Sequence, residues 1–199
     1  MKKVPKEDEL LLPANMLNLY THGAFPMGDA KTNTIDWYFP EIRTIIPMDT
    51  FNVPRSLRKF MSASPFEFKF DHDPLKVINC CSERNETWIT PKLIDAYKNL
   101  IDSGYVHSIE TWLNGELAGG LYGISVRGAF FGESMFSKVS QASKCALVKL
   151  VERLRERHFT LLDVQYENPH LNMFGTKQIP LEEYQNMLNK AYEDDITFI

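Results

Sequence analysis

The sequence has few cysteines, and their spacing does not suggest a metal site. Only three of its 199 residues are cysteines, Cys80, Cys81 and Cys145. Adjacent cysteines such as Cys80 and Cys81 rarely bridge each other, and an odd number argues against a disulfide framework. We therefore expect three reduced cysteines on helices and no bound metal.

Long apolar runs are also missing. No segment approaches the roughly 18 to 20 apolar residues of a membrane-spanning helix. The first residues contain two lysines but no apolar stretch long enough for a secretion signal. We expect a cytoplasmic protein.

An excess of basic residues is absent as well, because the formal net charge is −4. This charge argues against broad, nonspecific binding to nucleic acid, which needs a basic face. A local basic cluster would still suffice to hold the tip of a nucleic acid. Arg55, Arg58 and Lys59 form such a cluster on one face of a predicted helix, although a solvated helix surface explains the same pattern.

Hydrophobic periodicity divides the chain into two parts. Residues 1–55 predict one helix over residues 7–22, a turn-rich stretch and two short extended pieces, which we interpret as a small amino-terminal α/β domain. Residues 56–199 predict a strand, two helices, a three-strand meander, a helix, a strand and a last helix. The turns of the meander are expected at Asn114-Gly115 and Arg127-Gly128.

This order of elements matches the acetyltransferase-like (GNAT) fold, an α+β sandwich with a mixed, mainly antiparallel sheet. In that fold the third meander strand and the following strand splay apart, and acceptors enter the gap. A coenzyme-A enzyme also carries a glycine-rich phosphate-binding turn between the third meander strand and the next helix. The segment "GESMFSKVSQASK" contains a single glycine. If the fold is right, the acyl donor is not acetyl-CoA.

Three polar residues stand out in apolar surroundings. Asp163 and Gln165 share one face of the predicted strand "LLDVQY", whereas Leu162, Val164 and Tyr166 share the other. Burying an acid and an amide on an apolar strand is costly without partners.

Glu133 is expected just beyond the third meander strand, near that pair. Two carboxylates that face one gap repel each other unless a cation lies between them, which suggests an amine or guanidinium ligand. Alternatively, Glu133 caps the following helix or pairs with Lys138 or Lys144.

A family resemblance connects these residues. The segments "TWIT", "HSIETW", "GGLYG", "FFGESMFS", "ASK", "LLDVQ", "PH" and "IP" occur in the order and spacing of the leucyl/phenylalanyl-tRNA–protein transferase family. The chain resembles this family from about residue 15 to residue 190. The resemblance implies transfer of a leucyl or phenylalanyl group from aminoacyl-tRNA to the terminal amine of proteins that begin with Arg or Lys, which marks them for degradation. It implies no cofactor.

The resemblance also implies a role for individual residues. Glu133, with Asp163, would bind the basic end of the acceptor, and Asp163 and Gln165 would form the catalytic pair. The residues for the aminoacyl-adenosine would be Trp88, Met27 and Trp37. The pocket for the Leu or Phe side chain would be formed by Leu121, Phe130, Leu147 and Leu150. Contacts to tRNA phosphates are expected from Arg55, Arg58, Lys59 and Lys144.

The chain departs from many members of the family at two places. A "GGDL" segment near the amino terminus is absent or reduced, and Met27 follows "FP" where many members have Trp. Methionine covers an adenine by dispersion but stacks less well, so Trp37 or Tyr38 would have to compensate.

Other functions stay open from the sequence. One alternative is an acyltransferase of the same fold with another donor. A second is a tRNA- or peptide-binding protein without catalysis, against which the presence of Asp163, Gln165 and Glu133 argues. The sequence does not determine the donor preference among Leu, Phe and Met.

Overall fold

The structure is a computed structural model that describes residues 6–84 and 86–199. Within these ranges the elements follow one another as α1 (Glu7–Leu10), α2 (Pro13–Thr21), β1 (Phe25–Asp29), β2 (Thr34–Tyr38), β3 (Ile42–Ile45), α3 (Arg55–Ala63), β4 (Glu67–Phe70), α4 (Pro74–Ser82), α5 (Pro91–Asp102), β5 (Val106–Leu113), β6 (Glu116–Val126), β7 (Ala129–Ser137), α6 (Ala142–Glu156), β8 (Leu161–Gln165), β9 (Lys177–Pro180) and α7 (Leu181–Ala191). None of these helices is long and apolar enough to cross a membrane.

A seven-stranded sheet forms the centre of the molecule. Its strand order is β4-β5-β6-β7-β8-β3-β9. The pair β7–β8 is parallel and the other neighbours are antiparallel. The two turns of the meander lie where the sequence predicts them. The prediction of an α+β fold with a mixed, mainly antiparallel sheet is confirmed.

Helices cover both faces of this sheet. Apolar residues of α2, α4, α5 and α7 pack on one face, together with Phe131 of β7 and Leu161 of β8. Helix α6 packs on the opposite face with Phe130 and Leu162 of the same two strands. Neighbouring residues of each strand therefore contribute to different cores, as strand periodicity requires.

The parallel strands β7 and β8 separate soon after they meet. Their pairing runs from Ala129 opposite Leu161 to Phe131 opposite Asp163. Strand β7 continues to Ser137, so the expectation that Glu133 lies beyond the strand is wrong. Glu133 instead lies inside β7 at a β-bulge, because Tyr122 of β6 is opposite Ser134 and Gly123 is opposite Gly132. A bulge redirects a side chain locally, and here it occurs where the strands part.

The amino-terminal region differs in detail from the prediction. The helix expected over residues 7–22 is two helices, α1 and α2, with Pro13 in the first turn of the second. The stretch interpreted as turn-rich contains β1, which pairs with β2 as an antiparallel hairpin.

Strand β3 falls inside the proposed domain 1–55, yet it pairs with β8 and β9 in the main sheet. The division into domains 1–55 and 56–199 stays a prediction. Strand β9 was not predicted from the sequence, because it has only four residues, with a weak pattern, and the last of them is Pro180.

Candidate active site

The separation of β7 from β8 opens a cavity of about 260 Å³, which is roughly the size of a small-molecule site. Exposed residues, including Arg84 and Asn168, lie at its mouth. The cavity brings together seven residues that the sequence singles out, namely Met27, Trp88, Leu121, Glu133, Leu147, Leu150 and Gln165.

One end of the cavity is apolar. It is lined by Leu121 of β6, by Leu147 and Leu150 of α6, and by Leu162 and Val164 of β8. These leucines are almost fully buried and belong to the core on the α6 side of the sheet. Helix α6 therefore contributes both to the hydrophobic core and to the wall of the cavity.

Phe130 lies in the same core but does not line the cavity. It is fully buried, and its ring centroid is 5.5 Å from that of Phe198. Its predicted contact with a Leu or Phe side chain stays a prediction. In this structure Phe130 belongs to the same apolar core as the leucines that line the cavity.

Glu133 provides the polar end of the cavity. Its Oε1 accepts hydrogen bonds from the Tyr20 hydroxyl and from Gln165 Nε2, both at 3.0 Å, and its Oε2 accepts one from the Tyr97 hydroxyl at 2.9 Å. Burial raises the pKa of Glu133 to about 7, although the Tyr97 and Tyr20 hydroxyls oppose this shift. The alternatives of a helix cap or a pair with Lys138 or Lys144 do not match these partners.

The tyrosines around Glu133 were missed from the sequence. Tyr20 lies in α2 and Tyr97 in α5, and each is fully buried on the apolar side of its helix, where a tyrosine ordinarily indicates core. Burial, followed by the charge of Glu133, raises the pKa of both hydroxyls, so both remain donors at neutral pH. No sequence pattern links residues 77 positions apart.

Asp163 is fully buried and does not line the cavity. Its Oδ1 accepts hydrogen bonds from Arg43 Nε at 2.9 Å and from the Gln165 backbone N–H at 2.8 Å. Its Oδ2 accepts from Arg43 Nη2 at 2.6 Å and from the Tyr184 hydroxyl at 2.8 Å. Arg43 and Tyr184, which the sequence did not reveal, thus occupy both carboxylate oxygens.

Gln165 connects the buried carboxylate to the cavity. Its backbone φ is +66°, a left-handed conformation that is uncommon outside glycine, and the bond from its N–H to Asp163 supports that conformation. Its side chain then reaches Glu133. The strand ends here, so the predicted alternation fails at the next residue: Tyr166 packs against Phe25 at 5.3 Å, on the Asp163 side of the sheet.

Two of the three residues expected at the adenosine line the cavity. Met27 of β1 and Trp88 are held side by side because the Gly28 N–H donates to the Trp88 carbonyl at 2.9 Å. Trp37 is not part of the lining and packs edge-on against Tyr20 at 5.9 Å. Tyr38 stacks on Phe25 instead of facing the cavity.

The basic residues of the sequence fall in two places. Lys144 lines a second cavity of about 470 Å³ next to the first. Arg55, Arg58 and Lys59 are exposed on α3 and line neither cavity.

The three cysteines are free and lie on helices, as predicted, and all three are buried. Burial raises the pKa of Cys81 to about 12 and that of Cys145 to about 11, so both thiols stay protonated at neutral pH. Residues 6–84 and 86–199 contain no group of three His, Cys, Asp or Glu side chains that would hold a metal ion.

A split α+β sheet whose cavity joins an apolar wall to a buried carboxylate suits an enzyme that transfers an apolar acyl group to a cationic acceptor. Comparisons with known proteins identify the family. Residues 45–189 match the model of the leucyl/phenylalanyl-tRNA protein transferase family.

Relatives from several bacteria carry the same name, leucyl/phenylalanyl-tRNA–protein transferase. The protein from Salinibacter ruber is 45% identical over 92% of this chain and 81% of its own length. The proteins from Herpetosiphon aurantiacus and Chlorobaculum parvum are 46% and 45% identical over 94% and 93% of this chain, and 98% and 97% of their own lengths. The chain belongs to the leucyl/phenylalanyl-tRNA protein transferase family.

Proposed function

We propose that this protein transfers a leucyl or phenylalanyl group from aminoacyl-tRNA to the terminal α-amino group of a protein that begins with Arg or Lys. The observation that carries the proposal is the single cavity with Glu133 at one end and Leu121, Leu147 and Leu150 at the other. The carboxylate suits a cationic acceptor side chain, and the leucines suit the apolar side chain of the donor. The family to which the chain belongs supports the same reaction.

Gln165 is the group that we assign to the attacking amine. Because its Nε2 donates to Glu133, its side-chain oxygen is the end that remains to accept a hydrogen bond from the amine. Asp163 fixes the Gln165 backbone and acts as a positioning residue, since Arg43 and Tyr184 already occupy its oxygens. In this proposal Gln165 contacts the amine, and Asp163 acts only by holding Gln165 in position.

The reaction needs no covalent enzyme intermediate, because the aminoacyl ester is already activated. The neutral amine attacks the ester carbonyl, an amide bond forms, and the carbon–oxygen bond to the ribose breaks. The proton lost by the amine ends on the departing ribose hydroxyl. Acceleration comes mainly from holding amine and ester in contact.

Met27 and Trp88 are assigned to the adenosine that carries the ester. Both line the cavity, and the Trp88 ring offers a stacking surface while Met27 adds dispersion contact. Lys144 is assigned to the tRNA backbone, and so are Arg55, Arg58 and Lys59 on the more distant α3. Because charged tRNA is the donor, the cytoplasm is the expected site of action.

Transfer of labelled leucine and phenylalanine from charged tRNA tests this function. Peptides that begin with Arg, Lys, Asp or Ala serve as acceptors, and acetyl-CoA serves as a separate donor. We expect product from both charged tRNAs with the Arg and Lys peptides, and none from acetyl-CoA. Preferential transfer to the Asp peptide over the Arg and Lys peptides would contradict the role of Glu133. Binding of tRNA without transfer would indicate a tRNA-binding protein that is not an enzyme.

A further inference from the structure

A second cavity adjoins the reaction cavity and shares its wall. Arg84, Met135, Asn168 and Leu171 line both cavities. The second cavity lies against the end of β7 and the first turn of α6, since Ser137 and Lys144 also belong to its lining. We call it the basic cleft.

Positive charge dominates the basic cleft. Arg84, Lys138 and Lys144 line it, against one carboxylate, Glu83. Among the residues that the structure describes, no ion pair neutralises Arg84, Lys138 or Lys144, whereas lysines such as Lys92 and Lys149 pair with acids elsewhere on the surface. In a chain with a net charge of −4, this is a local concentration of cations beside the active site.

The first turn of α6 adds to this charge. Helix α6 has 15 residues, and the positive end of its dipole faces the lining formed by Ser143 and Lys144. The Ser143 N–H already donates to Ser137 Oγ at 2.9 Å, so the helix contributes mainly its field. The lysines are the groups that remain to contact a ligand.

We propose that the basic cleft binds the phosphodiesters of the single-stranded acceptor end of tRNA, next to the nucleotide that carries the ester. This inference rests on the proposed function. With the ester between Glu133 and the leucines, and its adenosine against Trp88 and Met27, the RNA strand must leave the first cavity at its mouth. Arg84 lies at that mouth and also lines the basic cleft, so the RNA leaves the first cavity beside a positive charge.

The charge of the cleft also separates the two substrates. An acceptor that begins with Arg or Lys is repelled by Lys138 and Lys144 and attracted by Glu133. The phosphates of the donor are attracted by the same lysines and repelled by Glu133. Each substrate is therefore directed to its own side of the reaction cavity.

The double variant Lys138→Gln/Lys144→Gln tests the cleft, with Lys190→Gln on α7 as the matched control. Each protein is assayed with leucyl-tRNA and with leucyl-adenosine, which has the ester but no phosphate. We expect the double variant to raise KM for leucyl-tRNA about tenfold with little change in kcat, and to leave leucyl-adenosine unaffected. The dependence of log KM on log salt should weaken by roughly 0.7 for each phosphate that the variant no longer neutralises. Equal weakening with both donors, or no change with either, would overturn the proposal.

Binding of a CCA trinucleotide separates this inference from the proposed function, because it requires no transfer. By calorimetry, the wild-type protein and Lys190→Gln should bind the trinucleotide equally, and the double variant should bind it at least fivefold more weakly. Equal affinity in all three proteins would refute the cleft, whatever their transfer activity. If the double variant binds the trinucleotide more weakly but the wild-type protein transfers no amino acid, the proposed function is refuted and the proposed RNA binding by the basic cleft still stands.

Discussion

At the residue scale, the chemistry depends on how Glu133 is held. Three donors, from Tyr20, Tyr97 and Gln165, contact its carboxylate, yet burial still raises its pKa to about 7. The carboxyl group of Glu133 therefore gains or loses its proton close to neutral pH. A cationic acceptor side chain would favour the ionised form, so acceptor binding and ionisation of Glu133 are coupled.

Acceptor binding should strengthen as the pH rises through 7. Below this value Glu133 is mostly protonated and offers no charge to an Arg or Lys side chain. We expect KM for an Arg-initiated peptide to fall several-fold between pH 6 and pH 8, and KM for charged tRNA to change much less. Steady-state kinetics across this range measure both, and the variant Glu133→Gln should show a high acceptor KM without that pH dependence. A Glu133→Gln profile identical to that of the wild type would contradict the assignment.

The stability of the same variant checks the sign of the pKa shift. A carboxyl group whose pKa is higher in the folded state stabilises the protein at low pH and loses that contribution as the pH rises from about 4.5 to about 7. Glu133→Gln should therefore gain free energy of unfolding relative to the wild type between pH 5 and pH 8, by up to about 3 kcal/mol. Urea denaturation at both pH values measures the difference.

At the scale of elements, the site is created where secondary structure becomes irregular. Strands β7 and β8 pair over only three residues each before they part, and a bulge at Glu133 turns that side chain towards Tyr20 and Tyr97. The donor side depends on a similar close contact, in which β1 approaches the segment before α5. There a Cβ atom on Gly28 would lie 2.8 Å from the Trp88 carbonyl oxygen and 2.6 Å from Thr90 Cγ2.

Gly28→Ala should therefore weaken donor binding selectively. The new methyl group would have to displace β1 or the Trp88 backbone, which separates Met27 from Trp88 at the mouth of the cavity. We expect KM for leucyl-tRNA to rise about tenfold and KM for the acceptor peptide to stay within a factor of two. The acceptor measurement is the internal control, because Glu133 is held by Tyr20, Tyr97 and Gln165 and not by this contact. An unchanged donor KM would show that the Met27–Trp88 arrangement does not contribute to binding.

At the scale of the whole molecule, one buried ion pair joins parts of the chain that are 120 residues apart. Arg43 of β3 binds Asp163 of β8, and its Nη1 donates to the Gly23 carbonyl at 2.7 Å. Its guanidinium also lies over the rings of Phe25 and Tyr184, at 4.6 and 4.7 Å. Strand β3, from the amino-terminal region, thereby orients the strand that carries Gln165.

Removing one member of this pair should be costly. Arg43→Met leaves the Asp163 charge buried without its partner, and we expect a loss of about 3 to 5 kcal/mol in the free energy of unfolding. The double variant Arg43→Met/Asp163→Leu removes both charges and should recover much of that stability without recovering transfer, because the Gln165 N–H has lost its acceptor. Urea denaturation and single-turnover transfer measure the two effects. An Arg43→Met protein as stable as the wild type would show that the pair is not needed for folding.

Much of the site was predictable from local pattern. Strand alternation places Asp163 and Gln165 on one face and Leu162 on the other, and the structure confirms this. Glu133 stands out because a carboxylate follows closely on the apolar run of residues 129–131. The tyrosines and Arg43 could not be found in this way, because a buried tyrosine on an amphipathic helix has the same pattern as core.

The sequence by itself determined the strand and helix periods, the tight turns of the meander and the residue types that the chemistry needs, since these depend on neighbours within a few positions. Tertiary structure decided which of those residues meet. It buried Asp163 against Arg43 and Tyr184, outside the lining of the cavity, and it brought Lys138 and Lys144 beside the reaction cavity. Such contacts are fixed by strand order and by the bulge in β7, and they have no local signature because their partners lie far apart in the chain.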